Sequence, residues 1–207
     1  MRQLEVLSPK DKLLRIKCSK VEIKDLRLNS TQKTITELID FVYGTNNKGN
    51  NRDKNIPSTV GLSANQVGVN SSITVVDLGI GHKNYNDIHV LINPVIQWQS
   101  KSKLIRDEGC VNLDYIRGFV HRSARVKVEA FNRSGNKILL DLKGWPAILL
   151  QHEIDHLNGI LFIDRLVDPK IAHLVKKGDL IEYKKIKQNW KKYTDVSGLV
   201  RPIKLYT

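Results

Sequence analysis

One stretch near the start of the chain has the hydrophobic period of an amphipathic helix. Its four aliphatic residues stand at positions i, i+3, i+4 and i+7: Ile35, Leu38, Ile39 and Val42. Because this spacing places them on one face, it predicts a helix over residues 30–43 with Gly44 as its stop. Residues 44–59 are rich in Asn, Lys and Gly and are predicted to form a solvated surface loop, which is either a tolerated insertion or a substrate lid.

The middle of the chain has the shorter runs that are typical of β-strands. Apolar or alternating segments predict strands at 73–78, 88–98, 104–112, 116–121, 124–132 and 138–142. Pro94 places the second of these at a sheet edge or a bend, and a turn at 133–136 joins the last two as a hairpin. A short strand at 4–6 and a turn or short helix at 10–16 are predicted before them.

A second helix is predicted after these strands. It begins near Pro146, which suits a first helical position, and it stops at Gly159. The chain order is a helix, several strands and a helix, without regular βαβ alternation. This order predicts an α+β fold in which antiparallel β-sheets pack around the second helix.

The last fifth of the chain is basic and is predicted to be a helical extension. From residue 165 to 207 there are eleven Lys and Arg residues against four Asp and Glu. Asp168 and Pro169 resemble an N-cap and a first helical residue, and Gly178 weakens the helix further on. The apolar residues between them would share one face: Ile171, Leu174 and Val175. We therefore predict a domain of residues 1–167 and a basic C-terminal helix within residues 168–207.

The second predicted helix contains His152-Glu153-Ile154-Asp155-His156. His152 and His156 stand one turn apart and could hold one divalent metal ion, while Glu153 could accept a proton from a water molecule at that site. Two histidines at this spacing are commonly ordinary core residues. Glu153 favours the metal site, because an unpaired carboxylate in so apolar a helix would be costly.

A third ligand is expected, since catalytic sites of this kind usually have three protein ligands and one open position. The peptidase pattern H-E-x-x-H-x-x-G-x-x-H would place it at Phe162, which cannot bind a metal. The better candidate lies upstream in Glu108-Gly109-Cys110, because a thiolate and two imidazoles make a compact site. On its own, Cys110 would be interpreted as a small buried hydrophobic residue.

Three segments together resemble the peptide deformylase family. They are Gly61-Leu62-Ser63-Ala64-Asn65-Gln66, Glu108-Gly109-Cys110-Val111-Asn112 and Gln151-His152-Glu153-Ile154-Asp155-His156-Leu157-Asn158-Gly159. Their order and separations also match, and the resemblance extends from about residue 4 to about residue 167. It implies a metal-dependent hydrolase that removes the N-terminal formyl group from formyl-methionyl nascent peptides and releases formate.

The resemblance also implies a cofactor and a set of site residues. The metal would be Fe²⁺ in the cell, and Zn²⁺, Ni²⁺ or Co²⁺ could replace it. Its ligands would be Cys110, His152 and His156. Three residues would take part in the reaction. Glu153 would move a proton, and the side chain of Gln66 and the backbone N–H of Val111 would stabilise the oxyanion. Three would bind the peptide, although a plain surface position is the alternative for the arginine: Gly61, Gly109 and Arg117.

The chain departs from the family pattern at several positions. Asn65 replaces the common Pro or Thr, and Val111-Asn112 replaces the common Leu-Ser. Arg106 and Trp145 stand where the family has smaller apolar residues around the methionine side chain, so the methionine pocket could be reshaped. We also expect Asp155 to need a buried partner and propose Arg122 for it.

Composition limits the compartment and the partners. The chain has 207 residues, which is enough length for one domain with a sizeable core. Its formal net charge of +13 favours an anionic partner. We see neither an apolar run long enough to span a bilayer nor the apolar core of a signal peptide. The two cysteines, Cys18 and Cys110, do not indicate a disulfide framework. We expect a cytoplasmic protein, or an organellar one if a transit peptide has been removed.

Alternative functions remain for the basic segment and for the whole chain. The C-terminal segment is either a solvated face or, as the resemblance implies for some deformylases, a site of docking to ribosomal RNA. A peptidase acting on ordinary amides conflicts with Phe162. A deformylase-like protein that only binds conflicts with the retention of all the residues needed for chemistry: Gln66, Cys110, His152, Glu153 and His156.

Overall fold

The computed structural model describes residues 4–47, 59–79 and 87–203. Its α-helices are α1 (Asn29–Asn47), α2 (Trp145–Leu157) and α3 (Leu180–Ile186). Its strands are β1 (Gly61–Ser63), β2 (Ile73–Asp77), β3 (Ile88–Gln99), β4 (Lys103–Gly109), β5 (Ile116–Ser123), β6 (Arg125–Phe131), β7 (Lys137–Lys143), β8 (Ala172–Leu174) and β9 (Tyr193–Thr194).

The strands form two antiparallel sheets. The first has the order β1-β2-β3-β6-β7 and the second has the order β4-β5-β8-β9. The predicted α+β class with antiparallel pairing is therefore confirmed, as are the six strands predicted in the middle of the chain and the hairpin of β6 and β7. Pro94 lies within β3 where its register with β6 shifts between Ile92 and Val95, so this proline occupies a bulge rather than an edge.

Helix α1 packs one face against the first sheet. Ile35, Leu38 and Val42 are fully buried and belong to one core cluster with residues of β1, β2 and β3. The helix continues to Asn47, so the prediction that Gly44 ends it was wrong. Glycine weakens a helix by about 1 kcal/mol relative to alanine but does not prevent it from continuing. Residues 48–58 of the predicted loop lie outside the described residues.

Helix α2 lies between the two sheets and is buried along most of its length. It contacts β1, β2 and β7 of the first sheet and β5 of the second. Ala147, Leu150 and Ile154 pack with residues of β2, β3 and β6 in one core cluster. Pro146 stands in the first turn, and Gly159 follows the helix with φ +73°, as predicted. The sheets thus fix the position and rotation of α2, and with it the chemistry that the helix carries.

The C-terminal segment differs from its prediction. Ala172–Leu174 is strand β8, which pairs with β5 through Ile116↔Leu174 and Arg117↔His173, so the helix predicted there was wrong. The helix α3 that follows has only seven residues. The physical reason is that the free edge of β5 offers hydrogen bonds to β8, which an isolated helix could not match. A division of the chain at residue 167 stays a prediction.

Two further observations complete the fold. The strand predicted at residues 4–6 was also wrong: this stretch is irregular, and the nearby Leu7 N–H donates to the carbonyl of Gln66 outside any strand. The short helix predicted at 10–16 is confirmed as a 3₁₀ turn, Lys12–Arg15. None of the helices in the described ranges combines the length and apolar character that a membrane span needs.

The end of α2 leads to a test with a matched control. A Cβ at Gly159 would lie 2.8 Å from backbone atoms of Arg15 and Ile16, whereas the nearest described atom to a Cβ at Gly68, also left-handed with φ +88°, would be Leu7 Cδ2 at 3.8 Å. Gly159→Ala should destabilise the protein by about 3 kcal/mol, and Gly68→Ala by about 1 kcal/mol, because only the first adds a backbone clash to the conformational strain. Urea unfolding measures both, and equal losses would contradict the tight packing at Gly159.

Candidate active site

Helix α2 turns two imidazoles and a carboxylate towards one point. His152 and His156, one helical turn apart, have their Nε2 atoms 3.2 Å from each other. Their neighbour Glu153 is 3% exposed, and all three side chains lie at the buried face of the helix. The apolar residues on either side hold this face between the sheets, so the two imidazoles cannot turn away into solvent.

Cys110 comes to the same point from the end of β4. Its Sγ lies 3.3 Å from His156 Nε2, and the three ligand atoms of Cys110, His152 and His156 lie within 4.8 Å of one another. Bond lengths of ~2.0 Å to nitrogen and ~2.3 Å to sulfur at tetrahedral angles would give ligand separations of about 3.3–3.6 Å. The observed spacing therefore fits a divalent metal ion bound by these three atoms.

The electrostatics of the two histidines also fit a cation at this point. Burial lowers the pKa of His156 well below its ordinary value, so its ring is neutral, which is the form that binds a metal. Burial acts in the same direction on His152, but hydrogen bonds with Cys110 and Glu108 outweigh it and raise its pKa. The site thus attracts a positive charge, and a metal ion would displace the proton that His152 otherwise holds.

A buried ionic chain supports the ligands from behind. Glu108 accepts a hydrogen bond at 2.8 Å from His152 Nδ1 and binds both Nε and Nη2 of Arg122, at 2.8 and 2.9 Å. Arg122 also binds Asp155, as the sequence predicted, and Arg165 binds both oxygens of Asp155 at 2.6 Å. Such a chain orients the ligand His152 and sets which of its nitrogens faces the metal site.

The charges of this chain are held in place by one another. Burial raises the pKa of Glu108, but the adjacent Arg122 and His152 outweigh it and hold that pKa well below its usual range. The guanidinium of Arg122 is 2% exposed, and its two carboxylate partners raise its pKa against the effect of burial. Sequence reasoning missed Glu108 and Arg165 as members, although a glutamate beside a proposed ligand Cys110 was a signal of a supporting carboxylate.

Gln66 stands in the 3₁₀ turn Ala64–Val67 that follows β1. Its Oε1 accepts from the backbone N–H of Ser63 at 2.7 Å, and its Nε2 donates to Asn112 Oδ1 at 2.8 Å and lies 3.4 Å from Cys110 Sγ. Asn112 in turn donates to the carbonyl of Leu7 at 2.8 Å. These bonds point the amide N–H groups of Gln66 at the metal site, and they identify Asn112 as a supporting residue that the sequence did not reveal.

Glu153 is enclosed by small groups. A Cβ at Gly61 would lie 2.7 Å from Glu153 Oε1, so only glycine leaves room for the carboxylate. Ser63 Oγ donates to Glu153 Oε2 at 2.8 Å. Burial raises the pKa of Glu153 above its ordinary value, more than the nearby His152 lowers it. The carboxyl group is therefore better suited to hold a proton for a time than an exposed glutamate is.

A cavity of about 490 Å³ opens in front of these residues. The metal-site residues Cys110 and His152 and the catalytic candidates Gln66, Val111 and Glu153 are among the residues that line it. Its other walls are formed by the peptide-binding candidates, by apolar residues of α2 and by the C-terminal segment: Gly61, Gly109, Arg117, Trp145, Ile148, Leu149, Val175, Lys176 and Leu180. The structure thus brings every predicted site residue except the deeper His156 to the wall of one cavity.

The family model for polypeptide deformylase matches residues 3–172. The chain belongs to the polypeptide deformylase family. Peptide deformylase 1B, chloroplastic, of Solanum lycopersicum is 31% identical over 99% of this chain and 64% of its own length. The protein of the same name from Oryza sativa subsp. japonica is 35% identical over 96% of this chain and 65% of its own length. The chain thus spans just under two thirds of the length of these two relatives.

The fold agrees with solved structures of deformylases. The crystal structure of a peptide deformylase from Synechococcus elongatus in complex with actinonin aligns with 97% of this chain and over 91% of its own length, with 27% identity and a TM-score of 0.69. The structure of the peptide deformylase from Thermotoga maritima aligns with 80% of this chain and over 99% of its own length, with 30% identity and a TM-score of 0.66. Deformylases are metal-dependent, which agrees with the fit of the three ligand atoms.

Two departures from the deformylase pattern lie in different surroundings. Trp145 is 38% exposed and lines the cavity beside Ile148 and Leu149, so it narrows the apolar end of the cavity. Arg106 is exposed, donates to the carbonyl of Ile105 and is not among the residues that line the cavity. Of the two, only Trp145 is therefore placed to change the shape of the cavity.

The ionic chain behind the ligands leads to a test with two matched arginines. Arg122→Met would leave Glu108 and Asp155 buried without their shared cation, and it should destabilise the metal-free protein by about 3–5 kcal/mol. Arg125→Met removes an exposed ion pair with Asp141 and should leave the unfolding midpoint nearly unchanged. Urea unfolding followed by circular dichroism compares them. An Arg122 variant as stable as the Arg125 variant would contradict the role given to the buried chain.

Proposed function

We propose that this protein removes the N-terminal formyl group from formyl-methionyl nascent peptides and releases formate. One observation carries the proposal: the ligand atoms of Cys110, His152 and His156 converge within 4.8 Å, and Glu153 and Gln66 line the same cavity as Cys110 and His152. Membership of the deformylase family supports the same reaction. A site built only to bind would not need a buried carboxylate of raised pKa next to a metal centre.

We infer that Fe²⁺ is the metal in the cell and that Zn²⁺, Ni²⁺ or Co²⁺ can replace it. A thiolate with two imidazoles suits these ions better than it suits Mg²⁺ or Ca²⁺, which prefer oxygen ligands. The ion would be held by Cys110, His152 and His156 and supplies a Lewis acid that also lowers the pKa of water. The site would need a reducing environment, because a thiolate at such a centre is susceptible to oxidation.

Glu153 is assigned the movement of the proton. It accepts a proton from the attacking water and then donates it to the leaving amine, so that one carboxyl group serves as base and as acid. Ser63 holds Oε2 at 2.8 Å, and Oε1 lies on the side of Gly61. This arrangement keeps one oxygen anchored while the other faces the strand edge where a peptide would lie.

Gln66 and Val111 are assigned the stabilisation of the oxyanion. Gln66 Nε2 donates one hydrogen to Asn112 Oδ1 at 2.8 Å and makes a long contact of 3.4 Å with Cys110 Sγ, and a developing oxyanion could replace the second of these contacts. Val111 would act through its backbone N–H, so valine in place of the common leucine does not affect this role. Both groups are placed before substrate arrives, which reduces the reorganisation required in the transition state.

The substrate is expected to bind as an added β-strand. β1 and β4 are end strands of their sheets, and they contain Gly61 and Gly109, whose backbones border the cavity. An extended peptide between these edges could extend either sheet through backbone hydrogen bonds. Arg117, opposite Gly109 in the sheet, adds a guanidinium to the wall of this cleft.

The reaction is tested by anaerobic measurement of formate release from formyl-Met-Ala-Ser. Glu153→Gln keeps the size of the side chain but removes its ability to carry a proton, and it should lower kcat by roughly 10²–10⁴-fold. Glu182→Gln, on the exposed face of α3, is the matched control and should leave the rate unchanged. Internal cleavage of the peptide would indicate a peptidase, and a wild-type protein without turnover would indicate a binding protein.

We further propose that the basic C-terminal segment docks on ribosomal RNA and that the protein acts in the cytoplasm or in an organelle, as the names of the chloroplastic relatives suggest. Lys184, Lys185 and Lys191 are exposed and could contact phosphates. Replacing these three by Glu should abolish co-sedimentation with ribosomes at low salt, while formate release from a free peptide should remain. Unchanged co-sedimentation would contradict the proposal that this segment binds ribosomal RNA.

A further inference from the structure

The C-terminal segment forms part of the cavity that contains the metal site. Val175, Lys176 and Leu180 line it next to Tyr115, Ile116 and Arg117, because β8 pairs with β5 and places these residues side by side, and the metal-site residues Cys110 and His152 line the same cavity. A substrate whose formyl group lies at the metal site would therefore extend its later residues towards this segment. The basic extension thus has an inner face directed at the cavity, in addition to the exposed lysines on its outer face.

The segment is fixed by a small core of its own. Val175, Tyr183 and Trp190 form a buried cluster separate from the three larger ones. Val175 N–H donates to the carbonyl of Tyr115 at 2.7 Å, which ties this cluster to the rest of the domain, and Trp190 Nε1 donates to the carbonyl of Leu174 at 3.1 Å within the segment itself. The segment is consequently an ordered wall rather than a loosely attached tail.

A polar chain runs from this core to the cavity. Tyr183, which is fully buried, donates its hydroxyl hydrogen to Asp107 Oδ1 at 2.6 Å. Since the hydroxyl has only one hydrogen, His173 Nδ1, at 2.8 Å, must be the donor of the second bond to Tyr183. Asp107 then accepts from Nε and Nη2 of Arg117, the nearest distance being 2.8 Å.

Arg117 is held from three directions by these contacts. Asp107 binds one edge of its guanidinium, the Tyr183 ring lies 5.6 Å below it, and Nη1 lies on the side of Gly109, where an added Cβ would be 2.8 Å away. Gly109 immediately precedes the ligand Cys110. The guanidinium therefore stands over the strand edge along which an extended peptide would pass, one residue from the metal site.

We propose that Tyr183 is a positioning residue that fixes Asp107 and Arg117, so that the C-terminal segment recognises the peptide residues that follow the formylated one. This inference rests on the proposed deformylase function. Burial, and then the bond to Asp107, raise the pKa of Tyr183, so the hydroxyl keeps its proton and remains a donor to the carboxylate. Removal of that hydroxyl leaves the ion pair of Asp107 and Arg117 in place but frees it to rotate.

The test compares substrates of different length with Tyr183→Phe, which removes only the hydroxyl. For formyl-Met-Ala-Ser, KM should rise roughly 10-fold with little change in kcat, as expected for a lost hydrogen bond to a charged group. For formyl-methionine amide, which ends before the C-terminal segment, kcat/KM should change less than about 2-fold. Tyr193→Phe, the same substitution on an exposed tyrosine of this segment, should leave both substrates unaffected.

A double-mutant cycle identifies the route of the effect. If Tyr183 acts through Arg117, then Tyr183→Phe combined with Arg117→Lys should be no worse on the tripeptide than Arg117→Lys alone. Equal losses on both substrates, additive losses in the cycle, or no loss on the tripeptide would each overturn the proposal. A wild-type protein that releases no formate from either substrate would instead refute the deformylase function itself.

Discussion

The site depends on burying ionic groups in the space between two sheets. Ionic groups beside an apolar interior are costly unless they are paired, and behind the metal site His152, Glu108, Arg122 and Asp155 are joined to one another. Glu108 joins the imidazole of His152 to Arg122, and Arg122 joins Glu108 to Asp155 on the same helix as His152. This closed arrangement fixes the rotation of α2 relative to β4, and β4 carries the third ligand, Cys110. Packing and electrostatics therefore fix the same geometry.

The same constraint explains why the site lies at the edges of both sheets. Cys110 follows the end strand of one sheet, and Gln66 follows the end strand of the other. The sheets are held apart by α2, so their edges leave a cleft that ends at the ligands. Gly61 and Gly109 leave room beside that cleft for Glu153 and Arg117, since a side chain at either position would meet one of them. A peptide bound there, as proposed, would be brought to the metal site by its backbone, and Trp145 and the C-terminal segment would be among the walls that its side chains meet.

Local patterns predicted the elements that depend on local interactions. The period of Ile35, Leu38 and Val42 located α1, and the turn at 133–136 located the hairpin of β6 and β7. The pattern failed where a distant partner decided the structure. Residues 172–174 have the spacing of a helix, but the free edge of β5 makes them a strand. Within the site, H-E-x-x-H predicted that His152 and His156 share a face, because one turn of helix fixes their relation, and the Cys motif supplied the candidate Cys110, which the structure brings close to them from the end of β4. Asn112, Arg165 and Tyr183 were not predicted in their supporting roles, since each reaches its partner from a separate segment of the chain.

The central claim is that one divalent ion is bound by the sulfur of Cys110 and by nitrogens of His152 and His156. It is tested most directly by reconstituting the metal-free protein with Co²⁺ under anaerobic conditions and recording its absorption spectrum and metal content. We expect one equivalent of cobalt per chain and a near-ultraviolet thiolate-to-cobalt charge-transfer band, both retained in Cys18→Ala, with the band lost in Cys110→Ala. A band that survives in Cys110→Ala, or a wild-type protein that binds no stoichiometric metal, would contradict the account.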